Sequence, residues 1–198
     1  MKVFGVTGGV GAGKSSLLNL IGEREDCEIL MADKVAHHLE EPGQKCYEML
    51  LALLGKEILT KDKTIDRKKM AVQIFSNKQL LEKVNQVIHP AVKEFIIHEI
   101  EKKKREGLLS FFFIEAALLI EDGYDTICDE LWYIYAEDLV RKRRLINARG
   151  YSEEKIKKIM ENQSGEEIFR SYCKVVIDNS KDLDFAYRQV CKKLEEYK

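Results

Sequence analysis

Proline occurs only twice in the 198 residues, at Pro42 and Pro90, and no low-complexity tract or internal repeat interrupts the chain. Without such segments no linker separates independent domains, and the expectation is one folding unit carrying insertions. Cysteine is sparse and odd in number: Cys27, Cys46, Cys128, Cys173 and Cys191 are far apart and form no C-x-x-C pair. That spacing argues against a zinc site and against a disulfide framework, leaving reduced thiols that mostly fill the core. Charge of one sign is not in excess either, 33 basic residues standing against 34 acidic ones. A chain so balanced offers no reason for a nucleic-acid groove or a membrane surface as its principal partner. No uncharged apolar stretch approaches the roughly 20 residues of a membrane span, and the N-terminus opens on a strand-like run instead of a charged segment followed by an apolar one. A cytoplasmic protein, monomeric or a small homo-oligomer, is expected.

What the chain does have is a hydrophobic share of 45%, enough for one core, and a glycine-rich string placed early. Gly8-Gly9-Val10-Gly11-Ala12-Gly13-Lys14-Ser15 fits the pattern G-x-x-x-x-G-K-[ST]. It stands between an apolar run at 3–6, a short candidate strand, and a segment whose Leu17, Leu18, Leu20 and Ile21 form an apolar helical face. The residue types follow from the chemistry. Glycines let successive backbone N–H groups turn inward around phosphate oxygens, and a helix beginning near Gly13 brings its positive dipole end. Lys14 adds a full charge and Ser15 a hydroxyl for Mg²⁺. A glycine-rich turn can match by accident, but four glycines with Lys and Ser directly after a strand argue for a nucleoside-triphosphate enzyme.

Candidate strands at 2–6, 28–31, 108–114, 131–135 and 174–178 alternate with helix-like segments, which predicts an α/β fold with a parallel five-stranded sheet flanked by helices. The last helix is well patterned, with Leu183, Ala186, Val190, Leu194 and Tyr197 on one face. About seventy residues separate the second and third strands, where a minimal crossover needs roughly a dozen. A helical insertion over 34–106 is therefore expected, broken at His89-Pro90 because the residue before a proline is biased away from helix.

Ligands of open α/β sheets bind beyond the carboxyl ends of the strands, so the residues that follow each strand carry the chemistry. Asp33 follows the second strand, and two readings stand side by side. It is a carboxylate that orients an attacking hydroxyl, or a helix N-cap before Val35, Ala36 and Leu39, worth about 1 kcal/mol. Glu115 ends the run Phe111-Phe112-Phe113-Ile114, where a carboxylate near Mg²⁺ is common in phosphate-loop proteins; acidic residues also end strands for ordinary turn reasons. Arg141, Lys142, Arg143, Arg144 and Arg149 form a dense cationic patch after Glu137-Asp138. Beside a phosphate site it reads as a lid, over 138–163, that clamps transferring phosphates. The alternative is a solvated helical face paired with Glu137, Asp138, Glu153 and Glu154.

Taken in order, these features resemble the dephospho-CoA kinase family over essentially the whole chain. The likeness begins with Val6-Thr7 and the glycine-rich loop and continues through Ala32-Asp33-Lys34-Val35-Ala36-His37, similar to the family's D-A-D-x-x-A-[RH]. Further strings are Glu41-Pro42-Gly43, Ile65-Asp66-Arg67, Ile88-His89-Pro90, Leu118-Leu119-Ile120-Glu121, Arg144-Leu145, Arg149, Gln163 and Val176-Ile177-Asp178-Asn179-Ser180. Each alone is weak, and their order is the specific part. The chain departs from the family where Met31 replaces the first acid of D-A-D, Ala117 a proline and Glu115 an aspartate, and where one extra residue lies between Arg144 and Arg149. Met31 cannot accept a proton, so any role of that acid is absent or supplied elsewhere.

The resemblance implies a P-loop NTPase-type fold with an acceptor-binding insertion and a lid. It implies transfer of the γ-phosphoryl of ATP to the ribose 3′-hydroxyl of dephospho-CoA, the last step of coenzyme A synthesis, with Mg²⁺ as cofactor. It assigns Lys14, Asp33, Arg144 and Arg149 to catalysis, Asp33 activating the acceptor hydroxyl. Gly8, Gly9, Gly11, Ala12, Gly13, Lys14, Ser15, Ser16 and Asn179 fall to ATP; Asp33, Arg67, His89, Leu118 and Glu121 to the acceptor; Ser15 and Glu115 to the metal. A P-loop kinase for another nucleotide or a small alcohol shares the loop, the base and the lid and stays open. A guanine-nucleotide switch is disfavoured, since Asn77-Lys78-Gln79-Leu80 lacks the Asp of N-K-x-D and no D-x-x-G occurs.

Overall fold

The structure, a computed structural model, describes residues 1–163 and 165–197. Strands β1 (Lys2–Thr7), β2 (Cys27–Met31), β3 (Phe111–Glu115), β4 (Glu130–Tyr135) and β5 (Val175–Asp178) form one parallel sheet in the order β2-β3-β1-β4-β5. The α-helices are α1 (Lys14–Ile21), α2 (Ala32–Leu39), α3 (Tyr47–Leu54), α4 (Arg67–Phe75), α5 (Lys78–Glu106), α6 (Asp138–Arg149), α7 (Glu153–Glu161), α8 (Glu166–Tyr172) and α9 (Leu183–Glu195). The chain divides into two compact units, Met1–Ile29 with Lys103–Lys198, and Leu30–Lys102.

In the first unit the apolar runs become strands because helices cover the sheet and bury it. Phe4 sits at the centre, its ring 4.8 Å from that of Trp132, 5.2 Å from Phe113 and from Tyr197, and 5.9 Å from Phe111. Such aromatic pairs add about 0.5–1.5 kcal/mol each beyond their area burial. Leu17, Leu18 and Ile21 of α1 join Ala186, Val190 and Leu194 of α9 in the same core. The third strand starts at Phe111, not at 108 as the apolar run suggested. Leu108 is 80% exposed, and the strand begins where the Asp26 carbonyl accepts from both the Ser110 and Phe111 amides. All five thiols are free.

The second unit is helical. Ala32, Val35 and Leu39 of α2, Tyr47, Leu50 and Leu54 of α3, and Met70 of α4 are buried. The Tyr47 hydroxyl donates to the Lys63 carbonyl. The expected break at His89-Pro90 is overturned: α5 runs through Pro90 without ending. A proline inside a helix removes one amide hydrogen bond and crowds the preceding turn, costing about 3 kcal/mol. Val84 before it and Ala91, Val92, Ile96 and Ile100 after it are all buried on one row, and burying a Val or Ile side chain contributes about 1.5–3 kcal/mol each. The row outweighs the proline.

Candidate active site

Sheet register sets the functional loops side by side. Val6 pairs with Glu115, Thr7 with Tyr133 and Tyr135 with Asp178. The loop after β1, Glu115, the entry to α6 and Asn179 therefore share the carboxyl edge of the first unit, where α/β sheets bind ligands. Gly13 is the N-cap of α1 with a left-handed backbone, φ 86°, and a Cβ there would lie 2.4 Å from the Asn179 amide nitrogen; only glycine fits. Lys14 opens α1, with Ser15 and Ser16 exposed in its first turn. The Lys14 ammonium donates to the Gly8 carbonyl at 2.7 Å and lies 3.8 Å from Glu115 Oε1, both side chains about 15% exposed. A cation this sheltered is available to a stronger anion such as a phosphate.

The outer side of the loop is held by side chains from other elements. Asn179, whose N–H bonds the Tyr135 carbonyl at 2.8 Å, donates Nδ2 to the Ala12 carbonyl at 2.7 Å, and its Oδ1 is buried without a partner among the described residues. Arg144 donates to the same Ala12 carbonyl at 3.2 Å and to the Lys181 carbonyl at 3.3 Å; burial pushes its pKa below the ordinary value. Arg141 reaches Val10 and Gln163. Arg149, at the end of α6, is exposed with its guanidinium 5.9 Å from the Tyr151 ring centre. Leu118 and Glu121 lie exposed in the turn after β3. Sequence reasoning placed Arg141 only in a cluster and gave Gln163 no role. One signal was available: Leu145, the buried residue of α6, lies one turn beyond Arg141 and marks that helix face as inward.

In the second unit the cap reading of Asp33 is overturned. Met31, with extended backbone, is the N-cap of α2, and Asp33 is the second helical residue with no side-chain capping bond. Because β2 runs into α2 without a turn, the cap position falls on the last strand residue. Asp33 is exposed, and His37 and Glu40 follow on the same helix face. Arg67 opens α4 directly after Asp66, whose carboxylate caps the Lys68 and Lys69 amides at 3.0 and 3.2 Å. Arg67 Nε donates to Glu40 Oε2 at 3.3 Å, with Glu40 8% and Arg67 46% exposed at the side chain. Burial raises the Glu40 pKa above the ordinary carboxylate value, the Arg67 charge opposing it. His37 is held below its usual value by partial desolvation and then by Arg67, with Asp33 acting the other way. His89 is half-buried in α5.

A family model described as dephospho-CoA kinase matches residues 2–184. The chain belongs to the dephospho-CoA kinase family. A relative from Aquifex aeolicus named dephospho-CoA kinase is 38% identical over 197 residues, covering 99% of this chain and 97% of its own. A solved Thermus thermophilus protein, TT1252, superposes with a TM-score of 0.80 at 26% identity, with 98% of this chain and 97% of that one covered. Dephospho-CoA kinase from Campylobacter jejuni gives 0.73 at 25% identity over 99% and 97%. The resemblance carried by the ordered strings is borne out over nearly the full length.

Proposed function

We propose that the chain, as a member of this family, transfers the γ-phosphoryl of ATP to the ribose 3′-hydroxyl of dephospho-CoA, giving ADP and CoA at the final step of coenzyme A synthesis. Beside the family match, the observation that carries the reading is the Lys14 ammonium set between the Gly8 carbonyl and Glu115 at the head of α1. Inward N–H groups of the loop, including those of Gly11 and Gly13, hold the β- and γ-phosphates with Ser16 at the helix start, and Lys14 follows the charge that moves toward the leaving oxygen. Ser15 and Glu115 offer hard oxygen donors that suit Mg²⁺. Among the described residues no cluster of three His, Cys, Asp or Glu side chains could hold a metal, which fits an ion carried in with phosphates and water. Bound there, Mg²⁺ would neutralise charge on the phosphate oxygens.

Asp33 accepts a hydrogen bond from the 3′-hydroxyl and orients it, a contribution of about 10²- to 10⁴-fold. Arg67 offers its outer guanidinium nitrogens to the acceptor's phosphates, with His89, Leu118 and Glu121 as further acceptor contacts. Arg149 is the arginine assigned to the transferring phosphate. Arg144, committed to the Ala12 and Lys181 carbonyls, serves by positioning the loop. A cytoplasmic location agrees with the reaction, and among the described residues no helix is long and apolar enough to cross a membrane. A coupled ADP-release assay with Mg-ATP, with product mass measured, tests the reading over dephospho-CoA, AMP, adenosine, pantothenate and shikimate. Dephospho-CoA should turn over fastest and adenosine poorly, because remote binding energy aligns the hydroxyl. Turnover of another acceptor and none of dephospho-CoA would overturn it.

A further inference from the structure

Both polar backbone groups of Val10, in the middle of the phosphate loop, are taken by side chains from outside that loop. Its carbonyl accepts from Arg141 Nε at 3.0 Å and its N–H donates to Gln163 Oε1 at 3.1 Å. The two side chains are bonded to each other, Arg141 Nη2 donating to the same Gln163 oxygen at 2.8 Å, while Arg141 Nη1 donates to Asp138 at 3.1 Å. The guanidinium is thus fixed by three acceptors. It also fills the space beside Gly9, where a Cβ would come within 2.3 Å of Arg141 Nη2.

Peptide geometry turns this contact into function. In a planar trans peptide the C=O of one residue and the N–H of the next point in opposite directions. Holding the Val10 carbonyl outward against Arg141 therefore aims the Gly11 N–H to the inner side of the loop. Asn179 and Arg144 hold the Ala12 carbonyl in the same way, which aims the Gly13 N–H inward. A glycine peptide is freer to flip than any other. A flipped 10–11 peptide would show a carbonyl oxygen, not an N–H, to a phosphate.

We infer that Arg141 and Gln163 are positioning residues, a strap from α6 to the segment before α8 that locks the 10–11 peptide with the Gly11 N–H toward the nucleotide phosphates. The inference rests on the nucleotide-binding reading of the loop and adds to it two residues that act only through the backbone. Gln163 works through its oxygen alone, since Oε1 takes both bonds. A carboxylate at 163 keeps both bonds and strengthens the one to Arg141; an apolar side chain keeps neither.

ADP titration calorimetry on Gln163→Glu, Gln163→Leu, Arg141→Met and the double variant Arg141→Met/Gln163→Leu tests this, with KM for ATP and for dephospho-CoA measured alongside. Gln163→Leu and Arg141→Met should each weaken ADP binding and raise the ATP KM about 10-fold, the scale of one or two lost hydrogen bonds. The double variant should be no worse than either single one, because both break the same unit. Gln163→Glu, its added charge paired with Arg141, should bind ADP more tightly than Gln163→Leu, and the dephospho-CoA KM should stay unchanged in all four. Parent-like affinity in Gln163→Leu, or Gln163→Glu as weak as Gln163→Leu, would overturn the strap. So would a rise in both KM values together, the mark of general loosening. Should Arg141→Met not fold, the Gln163 pair decides alone. A parent protein that binds no ADP would instead overturn the nucleotide site on which the strap rests.

Discussion

Truncating Asn179 separates what holds the phosphate loop from what holds the fold. The residue is 2% exposed, donates Nδ2 to the Ala12 carbonyl at 2.7 Å and leaves Oδ1 buried without a partner among the described residues. Asn179→Ala removes one buried hydrogen bond, a net loss of about 1 kcal/mol. The larger penalty of an orphaned carbonyl, about 1–3 kcal/mol, is not incurred because Arg144 stays on Ala12 at 3.2 Å. Loss of the unpartnered Oδ1 offsets part of the cost, so the melting temperature should fall by only about 2–4 °C, the range for 1 kcal/mol in a chain of this size. ADP affinity should drop further, about 5- to 10-fold, because the 12–13 peptide loses one of its two restraints. Asn179→Asp is the sharper probe. It is isosteric, but it sets a carboxylate oxygen where the donor stood and adds negative charge beside the phosphates, so it should bind ADP more weakly than Asn179→Ala. Calorimetry with ADP and a thermal melt on both variants decide. If the aspartate variant binds as well as the parent, or better than the alanine variant, Asn179 does not act by donating to the loop.

Asp33→Asn should lower turnover with dephospho-CoA, up to the 10²- to 10⁴-fold that about bounds a general base, while the ATP KM and the urea midpoint hold steady; the side chain is exposed and caps nothing. A fall in stability with unchanged turnover would return the residue to a structural role. Glu40→Gln addresses the buried carboxylate of the second unit. The folded-state pKa of Glu40 lies above its ordinary 4.5, so the folded protein holds that proton more tightly than the unfolded chain. Its contribution is then fully present below pH 4.5 and is lost as pH rises through the raised value. The stability of the parent relative to the glutamine variant should accordingly decline over that window in urea titrations between pH 4 and 7. A difference that does not vary with pH would refute the assignment.

The sheet was legible because parallel strands covered on both faces read as continuous apolar runs, and Phe111-Phe112-Phe113-Ile114 is such a run. The two misplaced boundaries share a cause. Leu108 continues the apolar pattern, but no side chain records that the Asp26 carbonyl fixes the start of β3 three residues later. Pro90 carries a correct local rule, a missing N–H, and the rule yields because the buried row from Val84 to Ile100 lies on both sides of it. Asp33 is a third case: the cap reading could not be set aside until the end of β2 was known to abut α2.

Within the site, legibility follows how a residue exerts its effect. The phosphate loop was readable because its chemistry belongs to eight contiguous residues whose types the anion dictates. An ion pair at least joins residue types of opposite charge, as Arg67 and Glu40 do. Arg141, Arg144 and Asn179 instead donate to the carbonyls of Val10 and Ala12, and every residue has a carbonyl. No partner type marks such a contact, and Gln163 lies 153 positions from the amide it accepts from. Among the five cations of 141–149, only helix phase about the buried Leu145 and the path of the loop decide which reach the backbone. The residues proposed to receive the phosphates are therefore written in a motif, whereas those inferred to aim its peptides become visible only once the strands have brought β1, α6 and the end of β5 to one edge.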